Sequence, residues 1–147
     1  MRKIISVVLA LALAATFGLA AIADDTKDTT VSFEKAASYT WTVPESVIAG
    51  GTAGTVSASN VIIAYGKQLK ISITNGVSDG NVTLTLNGQS ETVTAAVTYT
   101  DLTVLAGTIA GGSQTLSVAA PESVSYAGTY SGTITFTAAV EDQPASN

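Results

Sequence analysis

The chain has 147 residues, carries a formal net charge of −5, and contains neither cysteine nor histidine. A chain of this length suffices for one domain that buries about two-thirds of its surface. The composition excludes disulfides, Cys- or His-ligated metals, and Ser-His-Asp or Cys-His nucleophile systems. We therefore expect a single domain that is stabilised by its apolar core.

The first 23 residues have the pattern of a secretory signal peptide. Arg2 and Lys3 precede a long run of uncharged, mostly apolar residues, and Ala21-Ile22-Ala23 supplies the small residues of a cleavage site. A retained signal anchor is the alternative, because about twenty apolar residues can just span a bilayer. We predict cleavage, and hence a secreted, extracellular protein that is free or held non-covalently at a cell surface.

Beyond residue 23 the chain is acidic. This part has four lysines, no arginine and eleven acidic residues, which give a side-chain charge of −7. Nucleic acid and an anionic membrane surface are poor partners for such a chain, because both are bound through clustered Lys and Arg. The expected partners are therefore another protein, including a second copy of the chain, or an extracellular glycan.

Alternation of polar and apolar residues predicts strands along almost the whole remaining chain. From Thr92 to Thr100, for example, threonines alternate with apolar residues. The predicted strands cover residues 29–34, 38–43, 55–64, 68–74, 81–86, 91–99, 102–105, 114–119 and 129–140. Within 55–64 the apolar residues change phase between Ala58 and Val61, which predicts a β-bulge near Asn60.

Short strands separated by Asn-Gly and Asp-Gly turn signals predict an all-β fold, and we favour an antiparallel β-sandwich of about eight or nine strands over the alternative, a small barrel. We assign this domain to residues 38–140 and a flexible tail to residues 141–147. Residues 24–37 are interpreted as an N-terminal arm or a first edge strand.

The arm contains the sequence 29-TTVSFEK-35, in which Val31 and Phe33 share one face. An extended segment with this spacing is suited to adding a strand to a partner's sheet, with both apolar side chains entering a groove. Val31 and Phe33 are therefore candidate strand-donor residues. Two apolar residues are few for a tight donor strand, so pairing of the segment within its own chain is the alternative that the sequence favours.

Tyr130 lies at the beginning of the last predicted strand, on the same face as Phe136. With Gly128 two residues before it, the arrangement resembles the tyrosine corner of immunoglobulin-like domains, in which the Tyr hydroxyl bonds to upstream backbone. Tyr126 stands where that motif has Asp, and Gly132 stands where it has a cysteine. We interpret Tyr130, Gly128 and Phe136 as structural residues.

Two longer stretches extend the resemblance. The sequence from Ala127 to Thr137, AGTYSGTITFT, is similar to the last strand of secreted pilin-like and adhesin-like β-sandwiches, including spore-coat-U-like and fimbrial domains. The stretch 39-YTWTVPESV-47 resembles the first core strand of small surface proteins of Gram-positive bacteria. The resemblance implies an extracellular, non-enzymatic surface or filament-related domain, and it transfers no site residues.

Candidate ligand sites are few. In the loop 75-NGVSDGN-81, Asn75, Asp79 and Asn81 offer hard oxygen ligands for calcium, although hairpin turns select the same residue types. The acidic residues are scattered, mostly at predicted strand ends, so a carboxylate pair for glycoside hydrolysis is not expected. We predict that the protein is not an enzyme and that it has no cofactor.

The aromatic residues offer two interpretations. Trp41 shares a face with Tyr39 and Val43, which favours a structural position in the core. Tyr65 and Tyr99 lie near predicted strand ends and are candidate ligand aromatics for a sugar ring. The sequence thus favours a structural or interaction protein, such as a surface, matrix or filament subunit or a small adhesin, that assembles by β-strand addition. A carbohydrate-binding module is the alternative.

Overall fold

The structure, a computed structural model, describes residues 29–145. The regular secondary structure of this range consists of ten strands. They are β1 (Ser38–Thr42), β2 (Gly54–Ile62), β3 (Lys67–Asn75), β4 (Val77–Ser78), β5 (Asn81–Leu86), β6 (Thr92–Thr98), β7 (Leu102–Leu105), β8 (Gly112–Val118), β9 (Tyr130–Ser131) and β10 (Thr135–Asp142). Within residues 29–145 there is no helix that could span a membrane. The predicted signal peptide lies outside the described residues.

The strands form two antiparallel sheets of unequal size. The larger sheet has the order β1-β2-β8-β6-β5-β4, and β9 also pairs with β5. The smaller sheet has the order β10-β3-β7. Apolar side chains from both sheets meet in one cluster, as expected for two sheets packed face to face. The predicted all-β antiparallel sandwich is therefore confirmed.

The main core lies between β2 and β8 of the larger sheet and β3 and β7 of the smaller sheet. Its largest fully buried side chains are Val56, Val61, Leu69 and Ile71. Trp41 and Phe136 are half-buried and pack against this cluster. The alternation of apolar residues along these strands places each of them on the inner face.

A second, smaller apolar cluster lies under the other half of the larger sheet. Val82, Ala95 and Val118 are buried there, on β5, β6 and β8 respectively. Residues from outside the regular strands pack against this cluster, among them Val47, Ala49 and Ile134. Among the described strands, the smaller sheet therefore covers only part of the larger one.

Local sequence signals account for the bulge and the tightest turn. The pairing of β1 with β2 shifts between Ser38 and Thr40, and Asn60 has a φ of 53°, so the predicted bulge is confirmed. Asp79 and Gly80 connect β4 to β5 with φ values of 49° and 76°. Two consecutive positive φ angles are the mark of the type I′ turn that Asp-Gly favours.

The N-terminal strand that the alternation predicts is not observed. Residues 29–37 form no strand, and the side chains of Val31 and Phe33 are each 89% exposed. Residues up to Phe33 belong to a different unit from the sandwich, which begins at Glu34. Alternation alone is insufficient for a strand, because the backbone groups of a strand also need a partner.

The end of the chain differs from its prediction as well. The last predicted strand divides into β9 and β10, separated by residues 132–134. Strand β10 then continues to Asp142, so Glu141 and Asp142 belong to the strand and not to a flexible tail. Side-chain bonds to β3 hold this end, from Gln68 Nε2 to Glu141 Oε1 at 2.8 Å and from Lys67 Nζ to Asp142 Oδ1 at 2.6 Å.

Candidate functional site

An apolar groove of about 830 Å³ lies on the sandwich. Four side chains from the inner face of β5 and β8 line it, namely Val82, Leu84, Leu116 and Val118. Ile134, just before β10, and Phe136, within it, form one wall, and residues 43–49 line another part. The groove therefore opens over the half of the larger sheet that the smaller sheet leaves uncovered.

The groove lies next to the beginning of strand β10. Phe136 faces into it from β10, whereas no residue of β3, the strand paired with β10, lines it. The open space is thus on the side of β10 that points away from β3. Phe136 is the residue of β10 that lines the groove, so an additional strand beside β10 would reach the groove at the Phe136 end of the strand.

Strand β10 presents a long unpaired edge in the described part of the chain. It is the outermost strand of the smaller sheet and has 8 residues. The other outer strands are shorter, with 5 residues in β1, 4 in β7 and 2 in β4. A long edge with unpaired N–H and C=O groups is a template for pairing with another chain.

Two backbone hydrogen bonds identify which residues along β3 direct their backbone groups to β10 and which direct them to β7. The Gln143 N–H donates to the Gly66 carbonyl at 2.9 Å, and the Ala106 N–H donates to the Lys67 carbonyl at 3.0 Å. Gly66 thus faces the β10 side of β3, and Lys67 faces the β7 side. Successive residues in a strand direct their backbone groups to opposite neighbours.

The same alternation applies along β10. Every second residue of β3, counted from Gly66, directs its backbone groups to β10. These residues are Gln68, Lys70 and Ser72, and their partners on β10 are Glu141, Ala139 and Thr137. These β10 residues therefore bond to β3. The N–H and C=O groups of Phe136, Ala138 and Val140 consequently point to the unpaired edge.

The rim of the groove is partly apolar and carries little charge. Ile48, Val124 and Tyr126 line it and are 75%, 51% and 57% exposed. Of the described residues that line the groove, Glu45 alone is charged. The groove thus favours an apolar ligand with at most one positive charge.

Tyr130 is built into the end of the groove. Its backbone pairs with Leu86, and its hydroxyl donates to the carbonyl of Tyr126 at 3.1 Å. Gly128 has a φ of 153°, and a Cβ at this position would meet the Leu86 side chain. Tyr130 therefore closes the loop that precedes β9 and shapes the groove. The contact is the upstream backbone bond that a tyrosine corner makes.

Tyr99 does not provide an exposed ligand aromatic. Its ring packs against the main core and meets Phe136 edge to face, with centroids 5.2 Å apart at an interplanar angle of 90°. Its hydroxyl donates to the Ile71 carbonyl at 2.8 Å and accepts from the Leu102 N–H at 3.3 Å. A strand-end aromatic is half-buried here because its hydroxyl finds backbone partners inside the sandwich.

We predict that Tyr99→Phe lowers the free energy of unfolding by about 1–2 kcal/mol, because the buried Ile71 carbonyl loses its donor. Burial raises the pKa of Tyr99 above its usual value of 10.0, with the Asp101 charge adding to the effect and the Leu102 bond opposing it. The native state then holds this proton more tightly than the unfolded chain. Stability is fully present below pH 10 and falls as pH rises through the native pKa.

Urea unfolding at neutral pH and above pH 10 measures both effects. The loss of stability in alkali should be smaller in Tyr99→Phe than in the parent. Tyr65→Phe is the matched control, since the side chain of Tyr65 is 101% exposed. Equal stability of parent and Tyr99→Phe at both pH values would contradict the prediction.

The candidate calcium ligands are engaged in the turns that contain them. Asn75 Oδ1 accepts from the Gly76 N–H at 2.8 Å, and Asn81 Nδ2 donates to the Asp79 carbonyl at 3.0 Å. Asp79 itself occupies a type I′ turn position. Across the described range, no three acidic residues are grouped so that they could hold a metal ion. These three residues thus have the local bonds and backbone conformations that turns require.

Sequence reasoning did not identify the groove. The sequence indicated Val31 and Phe33 as donor residues, but it did not indicate the groove that would receive them. Leu84 and Val118 line this groove, and their sequence pattern is the same as that of ordinary core residues. The one available signal was the long stretch between the strand ending near Val118 and Tyr130. It is irregular, and its Pro121 and Gly128 indicate an extended connection.

Comparisons with known proteins give no assignment. No protein-family model matches the chain, and searches of curated proteins and of solved structures find no match.

Proposed function

We propose that this chain is a secreted, non-enzymatic structural protein that associates with other copies of itself through β-strand addition at the free edge of β10. The observation that carries the proposal is the 8-residue edge of β10, which no described strand pairs with and which begins beside an apolar groove. Main-chain hydrogen bonds along such an edge supply affinity, and the groove accepts alternate side chains of the added strand.

Secretion and the subunit role rest on the sequence. The signal-peptide pattern, the acidic composition and the resemblance to pilin-like and adhesin-like domains all favour an extracellular surface, matrix or filament component. Two different surfaces of one chain joined head to tail form rings where the rotation closes and open chains where it does not. We therefore expect assemblies whose mass increases with protein concentration.

Proline at position 140 tests the role of the edge. The Val140 N–H points to the unpaired side, so Val140→Pro removes a donor for an added strand while the bonds to β3 remain. We expect Val140→Pro to weaken self-association by about tenfold or more, because proline both removes a hydrogen bond and obstructs the incoming backbone. Light-scattering mass across a concentration series measures the change.

Two controls accompany this test. Val140→Ala shortens the same side chain and keeps the N–H, so its self-association should remain close to that of the parent. Circular dichroism and the unfolding midpoint verify that Val140→Pro is folded. A parent protein that stays monomeric at every concentration would refute the proposed function. Equal association of parent and folded Val140→Pro would refute the role of the edge.

Carbohydrate binding is the second candidate. The observation that favours it is Tyr65, which is fully exposed in the turn from Ala64 to Lys67. An exposed aromatic ring can stack on a sugar. Glycan binding by a monomer that is lost in Tyr65→Ala would support this candidate over strand addition.

A further inference from the structure

We propose that the groove beside β10 receives residues 29–35 of a second copy, which add as a strand to the β10 edge with Val31 and Phe33 in the groove. Lys35 of that segment then lies near Glu45 at the groove rim. This inference rests on the proposed function and specifies both surfaces of the contact.

The first argument is the match of length. Seven residues in extended conformation span about 23 Å at roughly 3.3 Å per residue. Strand β10 has 8 residues, so its edge is long enough to pair with the whole segment 29–35. The volume of about 830 Å³ is in the range of clefts that bury a compact ligand.

The second argument is the apolar pattern of the segment. Side chains two residues apart lie on one face of a strand, so Val31 and Phe33 point in the same direction. Both are 89% exposed, and they are the most exposed large aliphatic and phenyl side chains in the described chain. The groove offers apolar partners for them, including Leu84, Val118 and Phe136.

The third argument is charge. Lys35 shares its face with Val31 and Phe33, because it follows the same period of two. Glu45 is the one charged residue among those lining the groove. A segment with a single positive charge on its inward face complements a groove with a single negative charge.

Serine substitution of the apolar residues is the first test, made in the full chain purified in the form that cells produce. We expect Phe33→Ser to weaken self-association by at least about tenfold, because the burial of a phenyl ring is lost. Val31→Ser should have a smaller effect in the same direction. Tyr65→Ser removes an exposed aromatic outside the groove and should have no effect.

A charge exchange tests the orientation of the segment. Lys35→Glu and Glu45→Lys should each weaken association by about threefold, the scale of an exposed ion pair. The double variant should recover the parent's affinity. Equal losses in both single variants without recovery in the double variant would overturn the placement of Lys35 near Glu45.

Mixing two deficient variants is the decisive test. Phe33→Ser retains the edge and the groove, whereas Val140→Pro retains the segment 29–35. If the two surfaces are complementary, an equal mixture forms a dimer that cannot extend, although neither variant associates alone. A mixture that remains monomeric would overturn the inference.

The remaining outcomes separate this inference from the proposed function. Self-association that is lost in Val140→Pro but unchanged in Phe33→Ser would refute the donor segment and keep the edge as the contact. A parent that is monomeric throughout would refute both. A monomeric parent that Phe33→Ser destabilises would show that the segment pairs within its own chain, and this also overturns the inference.

Discussion

Replacing Leu69 by alanine is expected to lower the free energy of unfolding by about 3–4 kcal/mol, which is the largest effect of any core truncation proposed for this chain. Leu69 is completely buried between the two sheets, within the main apolar cluster. Removing its side chain leaves a cavity that rigid strands on both sides cannot fill.

The same change at Leu84 should be much less costly, at about 1 kcal/mol. Leu84 is half-buried and lines the open groove, so its truncation enlarges a space that already exists. Urea denaturation of monomeric samples of Leu69→Ala and Leu84→Ala measures the difference. Equal losses in the two variants would mean that the groove is closed in solution.

Replacing Gly76 by alanine is expected to lower the free energy of unfolding by about 3 kcal/mol or more, because backbone strain and a steric clash add to each other. Gly76 has a φ of 87°, and a Cβ at this position would collide with the carbonyl of Thr133 and approach the Ile134 Cα. The turn after β3 is thus packed tightly against the residues that lead into β10.

Gly66 and Gly80 provide matched controls for this substitution. Their φ values are 77° and 76°, but open space surrounds the position of an added Cβ. Gly66→Ala and Gly80→Ala should therefore cost only the strain of positive φ, about 1–2 kcal/mol. Thermal unfolding of the three variants separates strain from clash, and equal costs in all three would contradict the assignment of a clash at Gly76.

The Gly76 variant also affects the candidate site. Ile134 forms a wall of the groove, and it lies directly after the carbonyl that the new methyl group would displace. A weaker self-association of Gly76→Ala than of Gly80→Ala, measured under conditions where both are folded, would connect the position of this wall to strand addition. The fold and the proposed assembly surface would then share one packing contact.

The sequence by itself determined the features that depend on neighbouring residues. Alternation along the chain predicted β5 and β7 with their observed ends, and the phase change between Ala58 and Val61 predicted the bulge at Asn60. The Asp79-Gly80 pair predicted its hairpin. These signals are local, because side-chain direction in a strand and the tolerance of positive φ are properties of a few consecutive residues.

Only the tertiary structure decided which of these elements have partners. The pattern of residues 29–34 is as regular as that of several observed strands, yet these residues form no strand. Tyr65 and Tyr99 looked equivalent in sequence, but Tyr65 is fully exposed and Tyr99 bonds to Ile71 inside the sandwich. Burial and pairing depend on residues that are distant along the chain, so no local pattern contains them.

The groove and the free edge belong to this second group. Leu84 and Val118 alternate with polar neighbours like any core residues, and β10 reads like any other strand. No described strand covers Leu84 and Val118, and none pairs with the outer edge of β10. Both facts follow from the unequal sizes of the two sheets. The alternation of polar and apolar residues predicts which face of a strand is apolar. The order of strands in the sheets decides whether that face is covered.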